Sequence, residues 1–257
     1  MNEFISVDRA DGLLVLAVNR PSKKNALTGP MYDELSNQLE SAQDDPHVRA
    51  IVFLAEGDHF TSGNDLSMFV GQPYGDGPSA AGLAGIRRFV YALATNGKPT
   101  VAGVQGSAVG IGTTMLLHCD AVVIAKDAKL ATPFVDLAIV PEAASTLLMV
   151  ARVGHIRAFS LFALSKSIDG ETAVDWGLAN AAVDKASVRR EAMALATLMA
   201  SRSSSSMAAT KKLMREQEAM LVQLDAENEY LAYQVQSEDG QEAFRAFAEK
   251  RPPNFAR

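Results

Sequence analysis

The sequence predicts an α/β fold, with a mixed sheet covered by helices over about the first 200 residues and a helical segment after it. Three observations carry this. The stretch KPTVAGVQGSAVGIGTTMLLHCDAVVIA, residues 98–125, reads as strand, glycine turn, helix and strand, which is the rhythm of sheet strands covered by helices. The run AIVFLA, residues 50–55, is continuously apolar and of strand length. From about residue 143 strands nearly vanish, and Ala, Leu, Met, Glu and Lys dominate. The expected division is a core over 1–200 and a helical segment over 201–257.

Each element has a local reason. FISVDR and LLVLAVN, separated by ADG, alternate like the arms of a hairpin and place Arg20 and Pro21 at a strand exit. PSKKNALTGP is turn chemistry. The helix after it has Thr28 or Gly29 as cap, Pro30 in its first turn, and Met31, Leu35 and Leu39 at helical spacing. AIVFLA then gives way to EGDHFTSGNDLSMF, read as loop and short helix. GQPYGDGPSAAG, residues 71–82, is dense in Gly and Pro and reads as a surface loop, with a helix expected over 83–96. SRSSSS at 201–206 ends one helix and caps the next, since Ser hydroxyls satisfy free amides there.

Composition narrows the function classes. The 257 residues are 48% hydrophobic and 21% charged, ordinary globular material able to bury a sizeable core. A net charge of −6 argues against a sequence-independent grip on nucleic acid or anionic lipid. The single Cys119 forms no internal disulfide, and no Cys/His cluster suits zinc, so no metal is expected and a reducing compartment fits. Residues 1–20 hold too short an apolar run for a signal peptide or a membrane span, so the expected location is the cytoplasm.

Three stretches stand out for chemistry. In HFTSGNDL, residues 59–66, Gly63 follows a strand and frees the N–H of Asn64; in GSAVGIGTT, residues 106–114, Gly110 and Gly112 do the same for Ile111. Two such donors converging on one point make an oxyanion hole. GSAVGIG fits neither the dinucleotide nor the P-loop glycine pattern, so nucleotide binding has little support. The third stretch, FVDLAIVPEAAST, residues 134–146, sets the carboxylate of Glu142 in apolar surroundings. From the pattern alone Glu142 reads first as an acid in a helix's opening turn, with Asp136 as a rival base. His118 reads as a packed histidine, His59 as either packed or functional, and Trp176 as packing.

Together VNRPSKKNALTGPMYDEL, FTSGNDL, the long PTVAGVQGSAVGIG…VPEAAS stretch, GETAVDWGLANAAV and FAEKRPPNF resemble, in order and over nearly the whole chain, the crotonase or enoyl-CoA hydratase/isomerase superfamily. The resemblance implies a ββα spiral core, a C-terminal helical segment for trimerisation, a homotrimer or hexamer, and an acyl-CoA thioester as substrate. Coenzyme A then belongs to the substrate, and no separate cofactor is needed. By position it implies catalytic roles for Glu142 and for the amides of Asn64 and Ile111. It implies substrate contacts at Lys24, Ala26, Ser62, Gly63, Asp65, Leu66, Gly110 and Phe134, with Lys23 or Lys24 facing the CoA phosphates. The two glutamates of family hydratases fall at Thr114 and Phe134, neither of which is a base. TPFVDLAIVPEAAS is instead similar to the peroxisomal-type Δ3,Δ2-enoyl-CoA isomerases, with one glutamate at position 142. The rivals are a hydratase, a thioesterase or decarboxylase using Glu142 or Asp136, and a CoA-binding module without catalysis.

Overall fold

The computed structural model describes residues 2–69 and 78–255, without side chains for 78–82. The chain opens with the expected hairpin, β1 (Ile5–Ala10) against β2 (Leu13–Val18), and crosses through α1 (Gly29–Asp44) to β3 (Ala50–Ala55). Pro30 lies in the first turn of α1, and Met31, Leu35 and Leu39 are buried, as the spacing predicts. The glycine-rich stretch is shorter than its composition suggests. Residues 70–77 lie outside the described residues, and α2 (Pro78–Thr95) has already begun where 78–82 were expected to be loop. Pro at the head of a helix costs nothing, because its missing N–H would have had no partner there.

After α2 come β4 (Thr100–Val104), β5 (Ser107–Val109), the four-residue α3 (Ile111–Thr114), β6 (Ala121–Ala125) and β7 (Lys129–Ala131). Next are α4 (Ser145–Val153), α5 (His155–Phe162), β8 (Ile168–Asp169), α6 (Gly170–Asp175) and β9 (Ala181–Val183). Four helices complete the chain, α7 (Val188–Ala200), α8 (Ser204–Met214), α9 (Gln217–Gln236) and α10 (Glu238–Ala248). The main sheet has the order β1-β2-β3-β4-β6-β9, parallel except for β1; a second sheet has the order β5-β7-β8.

The continuous apolar run of β3 is explained by burial on both faces. Ile51 and Phe53 point to the larger core beneath α1 and α2, while Val52 and Leu54 meet Ala192 and Ala196 of α7 on the other side. The small residues of α7 let it lie close to the sheet.

The backbone leaves the main sheet after β4 and enters the second sheet at β5, so the loops after β2, β3 and β4 gather at the carboxyl ends of parallel strands. Crevices outside such ends are where open α/β sheets bind ligands. Helix α9 packs on α2 and α4, and α10 reaches the loop after β3, where Phe244 stacks on Phe69 at 5.5 Å between ring centroids. Among the described residues no helix is long and apolar enough to cross a membrane, and no cluster of ligating side chains could hold a metal.

Candidate active site

The two glycine turns lie side by side because main-chain hydrogen bonds tie them together. Phe60 and Thr61 amides both donate to the Ser107 carbonyl, at 3.0 and 3.1 Å, and Val109 N–H returns to Thr61 O at 3.0 Å. Leu27 brackets the first turn, donating to Gly63 O at 2.9 Å and accepting from Asp65 N–H at 2.8 Å. That pattern leaves Asn64 between the bonded positions, and its N–H has no partner among the described residues. Ile111 is the first residue of α3 and has no intrahelical partner either.

Gly63 has φ +91°, and a Cβ there would sit 2.8 Å from the Val109 carbonyl oxygen of the opposite turn. Gly110 has φ +57° with ψ −120°, a combination open to glycine alone. These two residues allow the turns to touch, and Asn64 and Ile111 both border one space.

That space is a cavity of about 320 Å³. Of the substrate contacts expected from the sequence, Ala26, Ser62, Gly63, Asp65, Leu66, Gly110 and Phe134 border it, together with Asn64 and Ile111. Lys24 does not. It takes a left-handed conformation, φ +50°, in an exposed turn where its carbonyl accepts from Ser62 N–H, and Lys23 is the lysine at the rim. Phe134, Leu137 and Ile139 form the apolar wall, with Phe134 backed by Phe162 at 6.2 Å between centroids. Asp65 is engaged by Arg20, Nη1 to Oδ2 at 2.7 Å, and these contacts hold its carboxyl below the usual range against the opposing effect of partial burial.

Glu142 is buried, 4% exposed, and is not on the cavity rim. Its Oε1 has no hydrogen-bond partner. Burial first, and the nearby charge of Glu227 second, push its carboxyl up to about 8. Tyr32 connects it to the Gly63 turn: the phenol donates to Asn64 Oδ1 and lies close enough to Glu142 for that charge, after burial, to raise its own ionisation well above the ordinary value.

The helix-start explanation of Glu142 does not match the backbone. α4 begins at Ser145, and Ala143 and Ala144 intervene at φ +66° and +52°, so Glu142 stands before the first turn and offers its carbonyl, not its carboxylate, to Ser145 N–H. The head of α4 is served instead by Glu227 of α9, whose Oε1 accepts from Thr146 N–H at 2.9 Å and from Thr146 Oγ1 at 2.5 Å. Burial raises Glu227 to about 7 against the lowering effect of these bonds and of the Ala144 and Ser145 amides nearby. Its Oε2 makes no hydrogen bond.

Asp136 is exposed in the turn Val135–Leu137 and does not border the cavity. Thr114 is fully buried. His118 is packed, and burial lowers it to about 4; its Nε2 donates to Ala143 O at 2.8 Å and so steadies the residue beside Glu142. Trp176 carries the Arg157 guanidinium over its ring at 4.9 Å.

Sequence reasoning passes over Tyr32, Asn25 and Glu227. Asn25 is buried and ties three segments together through Glu56 O, His59 O and Arg20 N–H. Glu227 had one readable signal, a carboxylate between Leu224 and Leu231 on the buried stripe of α9.

Known proteins resemble the chain over nearly its whole length. The sequence profile described as enoyl-CoA hydratase/isomerase matches residues 8–257. The chain is 30% identical to the 1,2-epoxyphenylacetyl-CoA isomerase of Escherichia coli (strain K12), over 99% of both chains. It is 31% identical to the 2,3-dehydroadipyl-CoA hydratase of the same organism, again over 99% of each. An enoyl-CoA hydratase/isomerase crystal structure from Pseudoalteromonas atlantica T6c superposes with a TM-score of 0.91 at 35% identity, covering 99% of this chain and 100% of that one. With the paired amides, the apolar cavity and the spiral of parallel strands already in place, the chain belongs to the enoyl-CoA hydratase/isomerase family of crotonase fold.

Proposed function

We propose that the protein is an enoyl-CoA isomerase that moves a double bond from C3 to C2 of an acyl-CoA thioester, with Glu142 as the proton carrier. The observation that carries this reading is the buried carboxyl of Glu142, unpartnered at Oε1, raised to about 8 and linked through Tyr32 to Asn64, with Thr114 and Phe134 at the positions where family hydratases are expected to hold glutamates.

Bond migration suits one acid. The carboxylate of Glu142 removes a proton from C2, and the electrons pass onto the thioester oxygen as the C3–C4 alkene becomes part of a dienolate. The amides of Asn64 and Ile111 stabilise that negative oxygen, and loss of one such donor typically costs about 10² to 10³ in rate. Glu142, now protonated, returns the proton to C4 as the dienolate collapses, leaving the C2–C3 double bond and regenerating the carboxylate. Tyr32 holds the Asn64 side chain and so fixes the turn whose amide faces the oxygen. The apolar wall of Phe134, Leu137 and Ile139 takes the hydrocarbon.

The assay is incubation with a 3-enoyl-CoA while following the conjugated 2-enoyl thioester in the ultraviolet. Turnover that disappears in Glu142→Gln supports the isomerase. Formation of hydroxyacyl-CoA from 2-enoyl-CoA at comparable rates, or CoA binding without turnover, replaces it with the hydratase or with a non-catalytic module.

A further inference from the structure

A second cavity, of about 300 Å³, shares no lining residue with the first. It lies between α8 and the segment Cys119–Asp120 that follows the 3₁₀ turn Met115–His118, and its charged lining is Asp120, Arg152, Lys211 and Arg215. Three cations therefore surround one acid. Asp120 Oδ2 accepts from Lys211 Nζ at 2.7 Å, and Oδ1 lies 3.7 Å from Arg215. The other partners of the cations are main-chain carbonyls: Lys98 O for Lys211, at 2.6 Å; Leu117 O for Arg152, at 2.8 Å; and His118 O for Arg215.

Carbonyl oxygens at the end of a helical turn carry only partial charge. They anchor the cationic groups, and with Asp120 the one acid among three cations they leave two positive charges without a counter-ion. The deficit is local: Nη1 of Arg215 is buried and makes no hydrogen bond. His118 and Cys119 add no charge, since burial keeps the imidazole neutral, down at about 4, and the thiol protonated, up at about 12. Lys211, 8% exposed, is pushed down to about 8 by burial, with Arg215 adding to the effect despite Asp120. Leaving a donor and a charge buried without a partner is costly, and a charge-assisted bond to an oxyanion offsets it.

We propose that this cavity is a binding site for a small oxyanion, a phosphate or a carboxylate group, held by Arg215 and Lys211 with Arg152 behind them. Met207 and Met214 give it an apolar side, and exposed Thr210 lies at its edge. The site is separate from the isomerase reading and does not depend on it.

The test is calorimetric titration of the full chain with inorganic phosphate and, separately, with acetate, at constant ionic strength in chloride. The expected result is one anion per chain, with the stronger of the two probes identifying the group, and an affinity at least tenfold weaker in Arg215→Gln. Acyl-CoA turnover is unchanged in that variant. Thr210→Glu supplies a second route that leaves the cations in place: its tethered carboxylate is expected to abolish binding of the added anion and to raise Tm. Absence of binding by both anions, or equal affinity in wild type and Arg215→Gln, overturns the proposal. So does a result in which neither anion binds and Arg215→Gln splits an assembly of copies, because the counter-ion is then an acid of a neighbouring copy.

Discussion

Glu142 has a pH signature that follows from its burial. An acid raised from 4.5 to about 8 contributes stability that is complete below its unfolded value and is lost as pH rises through its folded one. Glu142→Gln carries no such titration, so its Tm should exceed that of wild type by an amount that grows from pH 5 to pH 8. For a chain of this size each 1 kcal/mol is about 2–4 °C, which a series of thermal melts resolves. On the proposed isomerase mechanism the same acid sets the rate. Only the carboxylate would remove the C2 proton, so kcat/KM should fall about tenfold per pH unit below 8, while Glu142→Gln loses on the order of 10² to 10⁴ in turnover above pH 8, a deficit that narrows toward lower pH. Glu227 adds a separable effect, because its charge helps to raise Glu142. Glu227→Gln, which keeps an acceptor for Thr146, should move the acid limb of the profile to lower pH. A limb that stays in place means the two carboxyls are not coupled.

At the scale of elements, the proposed oxyanion geometry is a contact between two turns and depends on their lack of side chains. Gly63→Ala brings a Cβ to 2.8 Å from the Val109 carbonyl at φ +91°, which forces the turns apart. The expected outcome is a loss of about 10² to 10³ in kcat, the cost of one misplaced oxyanion donor, with the far-ultraviolet circular dichroism unchanged. A lost fold would show in that spectrum. The head of α4 is a second such junction. Two alanines in left-handed backbone lift Glu142 out of the helix, and a carboxylate from α9 takes the place of a local cap. Substitution of Thr146 by Val removes one of the two donors to Glu227 Oε1, and the expected result is a lower Tm, by about 1 kcal/mol of stability, read in the same melts.

At the scale of the whole molecule, the apolar side chains left in solvent lie largely in its C-terminal half. Ile156 of α5, Leu213 of α8 and Tyr233 of α9 are 85%, 88% and 72% exposed. Exposed apolar surface of this kind marks interaction sites, and the expected occupant is another copy of the chain in a trimer or hexamer. Sedimentation should give a multiple of three that Tyr233→Arg with Ile156→Glu reduces; a wild-type monomer at micromolar concentration rules this out. Much of the architecture is legible from periodicity and turn chemistry, which are local: the hairpin, α1, the doubly buried β3, and the βαβ unit through residue 125. The order of the motifs around Asn64, Ile111 and Glu142 is legible through the resemblance to the family. The sequence by itself determined the composition class, the strands and helices, and the residue types available for chemistry, because each depends on neighbours a few positions apart. Only the tertiary structure decided that the Gly63 and Gly110 turns border one cavity, that Glu142 stands outside the helix it precedes, that Lys23 and not Lys24 reaches the rim, and that Tyr32 and Glu227 meet the site from α1 and α9. Desolvation and hydrogen bonding between segments tens of residues apart set those outcomes, and no local pattern encodes them.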